Sequence, residues 1–232
     1  MKDRRYSSKR DKEILESKVM ILPKSCVSTL KRNENQAPVE FQISGYSKPY
    51  YLDTGVTLGF QYADLMEVLR SHLSTRLKIA DQVSREWLRL RVRHKVEVVA
   101  KTAGDLYEME WDYVDSTIFP FFEIKEIQNW MTDGETLELG ESSLGEAVLI
   151  YLAKVNGGVF ISNDMRALQV SSQIGVISGH QGHLLRQLVH YRLVNAVEAF
   201  EKFLKMCWIS GVNREFKRKI RSNWFYEADP ES

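Results

Sequence analysis

The chain is predicted to fold as an α/β protein, a three-layer α/β/α sandwich with a central parallel sheet, plus an N-terminal extension. Three observations predict it. From Lys48 onward, short apolar runs alternate with segments whose apolar residues recur at helical spacing, the pattern of successive βα units. Acidic residues recur where those runs end or the next helix begins, and open α/β sheets gather functional groups at the carboxyl ends of their strands. Finally, 232 residues with 44% hydrophobic and 27% charged side chains can bury a core and exclude a disordered chain.

Each element follows in order. "PYYLD" reads as a short buried strand ending on Asp53. "TLGFQYADLMEVLRSHL" places Leu58, Tyr62, Leu65, Leu69 and Leu73 on one helical stripe. "RLKIA" reads as a second strand, after which Asp81 is expected to cap one long helix that stops at Gly104. The segment from Asp105 to Gly140 carries little periodicity, and its "FPFFEIKEIQNW" suits an aromatic strand or a packing helix. "SSLGEAVLIYLAKVNGG" has a serine to cap a helix and glycines to end it. "GVFISND" reads as a strand, "MRALQVSSQIG" as a helix and "GVISG" as a last strand, with two further helices in "GHLLRQLVHYRLVNAVEAFEKFLKMCWIS". The expected organisation is an N-terminal extension over residues 1–46, holding a short strand at "VEFQIS", a domain over 47–210 and a basic tail over 211–232.

Composition narrows the function classes. The 32 basic and 31 acidic residues nearly cancel, which excludes neither nucleic acid nor small ligands, because local patches decide. Cys26 and Cys207 lie far apart and outside any paired spacing, against a zinc finger or a disulfide scaffold and in keeping with a reducing, cytoplasmic setting. No apolar run reaches the 18 or so residues of a membrane span, and the charged start is no secretory signal.

Four carboxylates stand out. Asp53 ends the first strand, Glu86 lies in the helix after "RLKIA", Glu146 is in the first turns of the helix before "GVFISND", and Asp164 ends that strand. Converging carboxylates repel and raise one another's pKa unless a cation neutralises them. Hard oxygen ligands without histidine or cysteine favour Mg²⁺ or Mn²⁺ over zinc, the metals of phosphate chemistry. Each acid also has an ordinary reading. Asp53 and Asp164 can cap the helices that follow, Glu146 can complement a helix dipole, and Glu86 can pair with Arg85 or Arg89 on a helix surface.

The blocks "YYLDTGVTL", "GEAVLIYLA", "VFISNDMRA" and "GVISGHQGHLLRQLVHYRLV", in that order and spacing, resemble the signature blocks of the PIN-domain family. The resemblance spans roughly residues 48 to 220 and extends to "FLKMCWISG". It implies a metal-dependent ribonuclease with Asp53, Glu86, Glu146 and Asp164 as catalytic acids. Asp53, Glu146 and Asp164 would hold Mg²⁺ or Mn²⁺, supported by Thr54, Ser162 and Asn163. Glu141 is a neighbouring rival to Glu146 outside the Gly-Glu-Ala context. The chain departs from the family at Gly55, where members usually carry asparagine. Many bacterial members are toxins of toxin–antitoxin pairs and form homodimers, so an antitoxin or other regulatory protein and a second copy are implied partners. The alternatives left open are a nuclease acting on DNA, as in a flap-type or phage-defence enzyme, and a catalytically weak module that binds protein or RNA.

Substrate would be held by cations. Arg89 and Arg93 follow Glu86 on its helix, and Arg214, Lys217 and Arg218 cluster beside Trp224, Phe225 and Tyr226; lysine and arginine neutralise phosphates and aromatics stack on bases. A solvated cationic helix is the equal alternative. His180 and His183 flank the loop after the last strand, as a conceivable ligand or general acid.

Overall fold

The computed structural model describes residues 30–37, 40–114, 121–132, 143–210, 212 and 220–230. The Glu141, Arg214, Lys217 and Arg218 expectations therefore lie outside the described residues, as does Cys26.

The chain order is β1 (Tyr50–Leu52), α1 (Thr54–Tyr62), α2 (Met66–Leu73), a 3₁₀ turn (Ser74–Arg76), β2 (Leu77–Ala80), α3 (Asp81–Arg93), α4 (Glu97–Glu108) and β3 (Tyr113–Val114). Then follow α5 (Phe121–Thr132), α6 (Leu144–Val155), β4 (Val159–Ile161), α7 (Met165–Gln173), β5 (Ile177–Gly179), α8 (Gln181–His190), α9 (Ala196–Ile209) and α10 (Asn223–Tyr226). The strands form one parallel sheet in the order β3-β2-β1-β4-β5, with helices flanking it, as the alternation predicts. Strands β1 and β4 are buried along their whole length, because a parallel strand covered on both faces is a continuous apolar run rather than an alternating one.

The order fixes where the chemistry can sit. From β1 the chain moves outward through β2 and β3, then returns to the other side of β1 with β4 and β5. The switch point lies between β1 and β4, and α/β sheets bind ligands beyond the carboxyl ends of such strands. Pairing of Leu52 with Ile161 places Asp53 beside Ser162, and Asp53 N donates to the Ile161 carbonyl at 3.0 Å.

Several predicted elements differ in their ends. The expected single helix after β1 is two, α1 and α2. The Asp64 N–H meets the Gln61 carbonyl at 3.1 Å and the Leu65 N–H meets that of Phe60 at 2.9 Å. This is a Schellman stop, and it needs a left-handed residue, here Asp64 at φ 56°. Aspartate tolerates that conformation better than most, so no glycine marks the break.

The long helix expected to run from Asp81 to Gly104 is also two, α3 and α4. Backbone at His94 is extended, and His94 Nδ1 accepts from the Val96 N–H at 3.1 Å. The break lets α4 fold back on α3. There Arg91 pairs with Glu108 at 3.0 Å and its stem lies against Gly104, which is interior to α4 rather than its stop. Asp81 is the first helical residue, paired with Arg85 at 3.2 Å, and Ala80 rather than Asp81 stands at the N-cap. Ser143 precedes α6 without a side-chain cap bond.

The described part of "FPFFEIKEIQNW" lies in helix α5, not a strand, and the described part of "VEFQIS" is not a strand. Described residues of the extension are packed: Leu30, Phe41, Ile43 and Tyr46 lie against the core, and Arg32 Nε donates to Gln173 at 2.8 Å. The end of the chain packs too, with Phe225 buried against Phe203 in α9 and Trp224 stacked on His180. Phe225 is thereby a core residue rather than a surface for stacking bases. Among the described residues no helix is long and apolar enough to cross a membrane.

Candidate functional site

Asp53 closes β1 and opens α1. Its Oδ1 accepts the Val56 N–H at 2.7 Å, so it is the helix cap that its position allows. Its second oxygen faces β4: Oδ2 accepts from the Ser162 hydroxyl and from the Asn163 N–H at 3.3 Å. Ser162 Oγ in turn accepts from the Asp164 N–H at 3.0 Å. A chain of donors from Asp164 through Ser162 thus ends on Asp53. Asp164 caps α7, its Oδ1 accepting from Arg166 N at 2.7 Å and Ala167 N at 3.1 Å, while its side chain stays exposed. Both capping readings hold, and both caps leave a carboxylate oxygen at the switch point.

Glu86 reaches the same edge from α3. Its Oε2 accepts from the Thr54 hydroxyl, and the neighbouring Trp87 indole donates to Thr57 Oγ1 at 3.0 Å, so two adjacent side chains tie α3 to α1. Glu146 arrives on the first turn of α6. Gly145 makes that approach feasible, since a Cβ there would stand 2.5 Å from Glu86 Oε1. The glycine of the Gly-Glu-Ala block is needed because a carboxylate occupies the space beside it.

The electrostatics are dominated by burial and by repulsion between carboxylates. Burial pushes the Asp53 carboxyl up, partly offset by its Ser162, Val56 and Asn163 hydrogen bonds, and Asp164 raises it further. Burial likewise raises Glu86, against the Thr54 hydrogen bond, with Asp53 adding to the rise and Arg89 opposing it. Glu146 is pushed up to about 7, first by burial and then by Asp53, Glu86 and Asp164, with only its own backbone N–H acting in the opposite sense. The other three carboxylates therefore lie within electrostatic range of Glu146. Among the described residues no three Asp, Glu, His or Cys side chains close into a ready-made metal cage. Each of Asp53, Glu86 and Asp164 is instead held on its own donors, with Arg89 also acting on Glu86.

The donor set fits a hard divalent cation. It is all oxygen, its members repel, and Mg²⁺ takes only one or two carboxylates directly and holds the others through water. Histidine does not join it. His180 Nδ1 accepts from Gly182 N at 3.0 Å and His183 Nδ1 from His180 N at 3.1 Å, a reciprocal cap of α8. Burial lowers both, His180 well below the usual range and His183 to about 4, so neither is a protonated general acid near neutrality. Arg89 acts on Glu86, whereas Arg93 is exposed farther along α3.

A residue the sequence did not single out is Gln181, wholly buried at the start of α8. A polar side chain after a strand looks like any loop residue, and only the fold shows that it abuts Asn163. Position 55 is open. A Cβ there would stand 3.5 Å from Asp53 Oδ1 and 3.9 Å from Asn163 Nδ2, ordinary contacts. The Asn163 amide thus lies next to the place where the resembling family usually carries asparagine.

Gly145→Ala tests the packing of Glu86. The added methyl must displace a flexible carboxylate, and alanine gains up to about 1 kcal/mol of helix propensity over glycine. Thermal melting is expected to stay near that of the parent, and a loss of more than about 1 kcal/mol would show that Glu86 cannot yield to the methyl.

Comparison with protein-family models, with curated proteins and with solved structures finds no match to this chain.

Proposed function

We propose that the chain is a Mg²⁺- or Mn²⁺-dependent endoribonuclease of the PIN-domain type, hydrolysing RNA phosphodiesters at the β1/β4 switch point. One observation supports this reading: Asp53, Glu86 and Asp164, from separate segments, all act electrostatically on the half-buried Glu146, and no cation is among the charges acting on it. Buried acids with strongly perturbed pKa values in such a position mark functional sites.

A bound divalent ion would supply an activated water and stabilise negative charge on the phosphoryl oxygens. The protein's part is to hold and orient. Asp53, Glu146 and Asp164 would hold the ion. Ser162 and the Asn163 N–H fix the Asp53 oxygen that faces β4. Glu86, with Oε2 held by Thr54, keeps Oε1 toward the α6 N-terminus as a proton acceptor. Arg89 and Arg93 on α3, with Arg214, Lys217 and Arg218 near the chain end, would neutralise phosphates. A cytoplasmic location, an antitoxin or other regulatory partner and a homodimer accompany this reading.

Gly55 and the absence of a closed cage among the described residues favour a second reading, a catalytically weak module that binds RNA or protein. Matched RNA and DNA oligonucleotides incubated with Mn²⁺, with Mg²⁺ and with EDTA decide between them. Metal-dependent RNA cleavage abolished by EDTA is expected. Cleavage of DNA alone would move the substrate, and binding without cleavage of either would favour the module.

A further inference from the structure

We propose that Gln181 is a positioning residue, a buried clamp that fixes Asn163 and thereby aims the Asn163 N–H at Asp53. The functional half of this inference rests on the nuclease reading, and the structural half does not.

Gln181 has no exposed surface, and burial of an amide costs free energy unless its hydrogen bonds are met. They are met mainly by one residue. Gln181 Oε1 accepts from Asn163 Nδ2 at 3.0 Å, and the Gln181 backbone N–H reaches Asn163 Oδ1 at 3.4 Å. Both polar ends of the Asn163 amide are therefore gripped by one residue. On the other side Gln181 Nε2 points at Cys207 Sγ, 3.4 Å away. That sulfur is a weak acceptor, so the contact orients the amide more than it strengthens it. The Ser210 hydroxyl is 3.4 Å from Gln181 Oε1 but 2.6 Å from the Met206 carbonyl. With one proton to give, it serves Met206, and Asn163 remains the chief donor to Gln181.

The surroundings are shaped to admit this side chain. A Cβ on Gly59 would lie 2.7 Å from Gln181 Oε1, and 3.3 Å from Met206 Cβ. Helix α1 thus approaches α8 and α9 through a residue with no side chain, and the amide fills the space. The consequence is directional. Asn163 sits between Ser162 and Asp164, and its N–H reaches Asp53 Oδ2 at 3.3 Å. The side-chain grip anchors the Asn163 residue as a whole, so without it the loop peptide between β4 and α7 would be freer to shift and its N–H to leave the carboxylate. A buried helix residue in α8 so controls a carboxylate at the end of β1 without touching it.

Gln181→Met removes both hydrogen-bonding ends at nearly constant volume, and Asn163→Ala removes the clamped amide. Two readouts on the full chain separate the claims. The first is hydrogen exchange of the Asn163 backbone N–H by NMR, which requires no catalysis. Its protection is expected to fall about 10-fold or more in Gln181→Met while protection in the β1 and β4 strands is retained. Unchanged protection at Asn163 would overturn the clamp.

The second is a double-mutant cycle on Mn²⁺-supported RNA cleavage. If Gln181 acts through Asn163, each single variant lowers kcat about 10-fold with KM little changed, and the double variant loses no more than Asn163→Ala alone. Losses that multiply would overturn the route through Asn163. A parent protein that cleaves nothing would overturn the functional half together with the nuclease reading, leaving the exchange result to decide the structural half. Should Gln181→Met fail to fold, Asn163→Ala takes its place: it removes the gripped amide at a less buried position, so loss of protection at the residue-163 N–H is expected, and unchanged protection there would overturn the clamp.

Discussion

Glu146→Gln is expected to make the metal-free protein more stable at pH 8 by about 2 kcal/mol, while lowering metal-supported cleavage about 100-fold. The stability gain follows from the sign of the shift. The Glu146 carboxyl is raised from 4.5 to about 7 in the folded protein, so between those values the folded chain binds the proton more tightly than the unfolded chain. Stability from this group is fully present below the unfolded pKa and is lost as pH rises through the folded pKa. A shift of one unit corresponds to about 1.4 kcal/mol, and partial access of water to Glu146 argues for less than the full product. Asp53 and Glu86 are raised as well, so they add slope of the same sign. Urea denaturation between pH 5 and pH 8 in EDTA should show the parent losing stability with rising pH, and Glu146→Gln losing less. Adding Mn²⁺ should flatten the parent's slope, because a cation replaces the proton. A Glu146→Gln protein less stable than the parent at pH 8 would show that the carboxylate is structurally favourable and not a strained ligand.

Asp53→Asn should abolish cleavage, by on the order of 1000-fold, the scale on which single catalytic groups act, without unfolding the chain. Asparagine caps helices about as well as aspartate, so its oxygen can keep the 2.7 Å bond from Val56 N. The amide nitrogen then faces β4, where the Asn163 N–H is another donor. That mismatch costs about 1–3 kcal/mol and is offset by removing a buried charge that Asp164 opposes. Stability within about 1 kcal/mol of the parent is expected by urea titration. Loss of activity with full stability separates a ligand from a cap. Retained activity would reduce Asp53 to the cap alone.

The fold and the site were legible to different depths. Strand–helix alternation and the apolar runs "YYL" and "VFI" were enough to indicate a parallel sheet, because a strand covered on both faces needs no alternation. The helix ends were hidden where the chemistry was unusual. Asp64 adopts the left-handed conformation that glycine normally marks, and His94 breaks a run whose apolar period continues past it. Strand β3 is two residues long and follows a segment without a period, too short for any pattern to show.

At the candidate site, Asp53, Glu146 and Asp164 drew notice because each sits at an element boundary, where α/β sheets gather function, whereas Glu86 lies inside α3. Their hydrogen bonds could not be named. The link from Ser162 to Asp53 depends on the β1–β4 register, and the closeness of Gly145 to Glu86 depends on how α6 meets α3. Gln181 was invisible for the same reason, since nothing local distinguishes a buried glutamine from one in solvent.

The most direct test of the central claim is a Mn²⁺ titration followed by electron paramagnetic resonance of the free ion, on the parent, Asp53→Asn and Glu146→Gln. One site per chain is expected in the parent, weakened about 10-fold or more in each variant and competed by Mg²⁺. A parent that takes up no Mn²⁺, or variants that bind it as tightly as the parent does, would contradict a carboxylate metal centre at the β1/β4 edge.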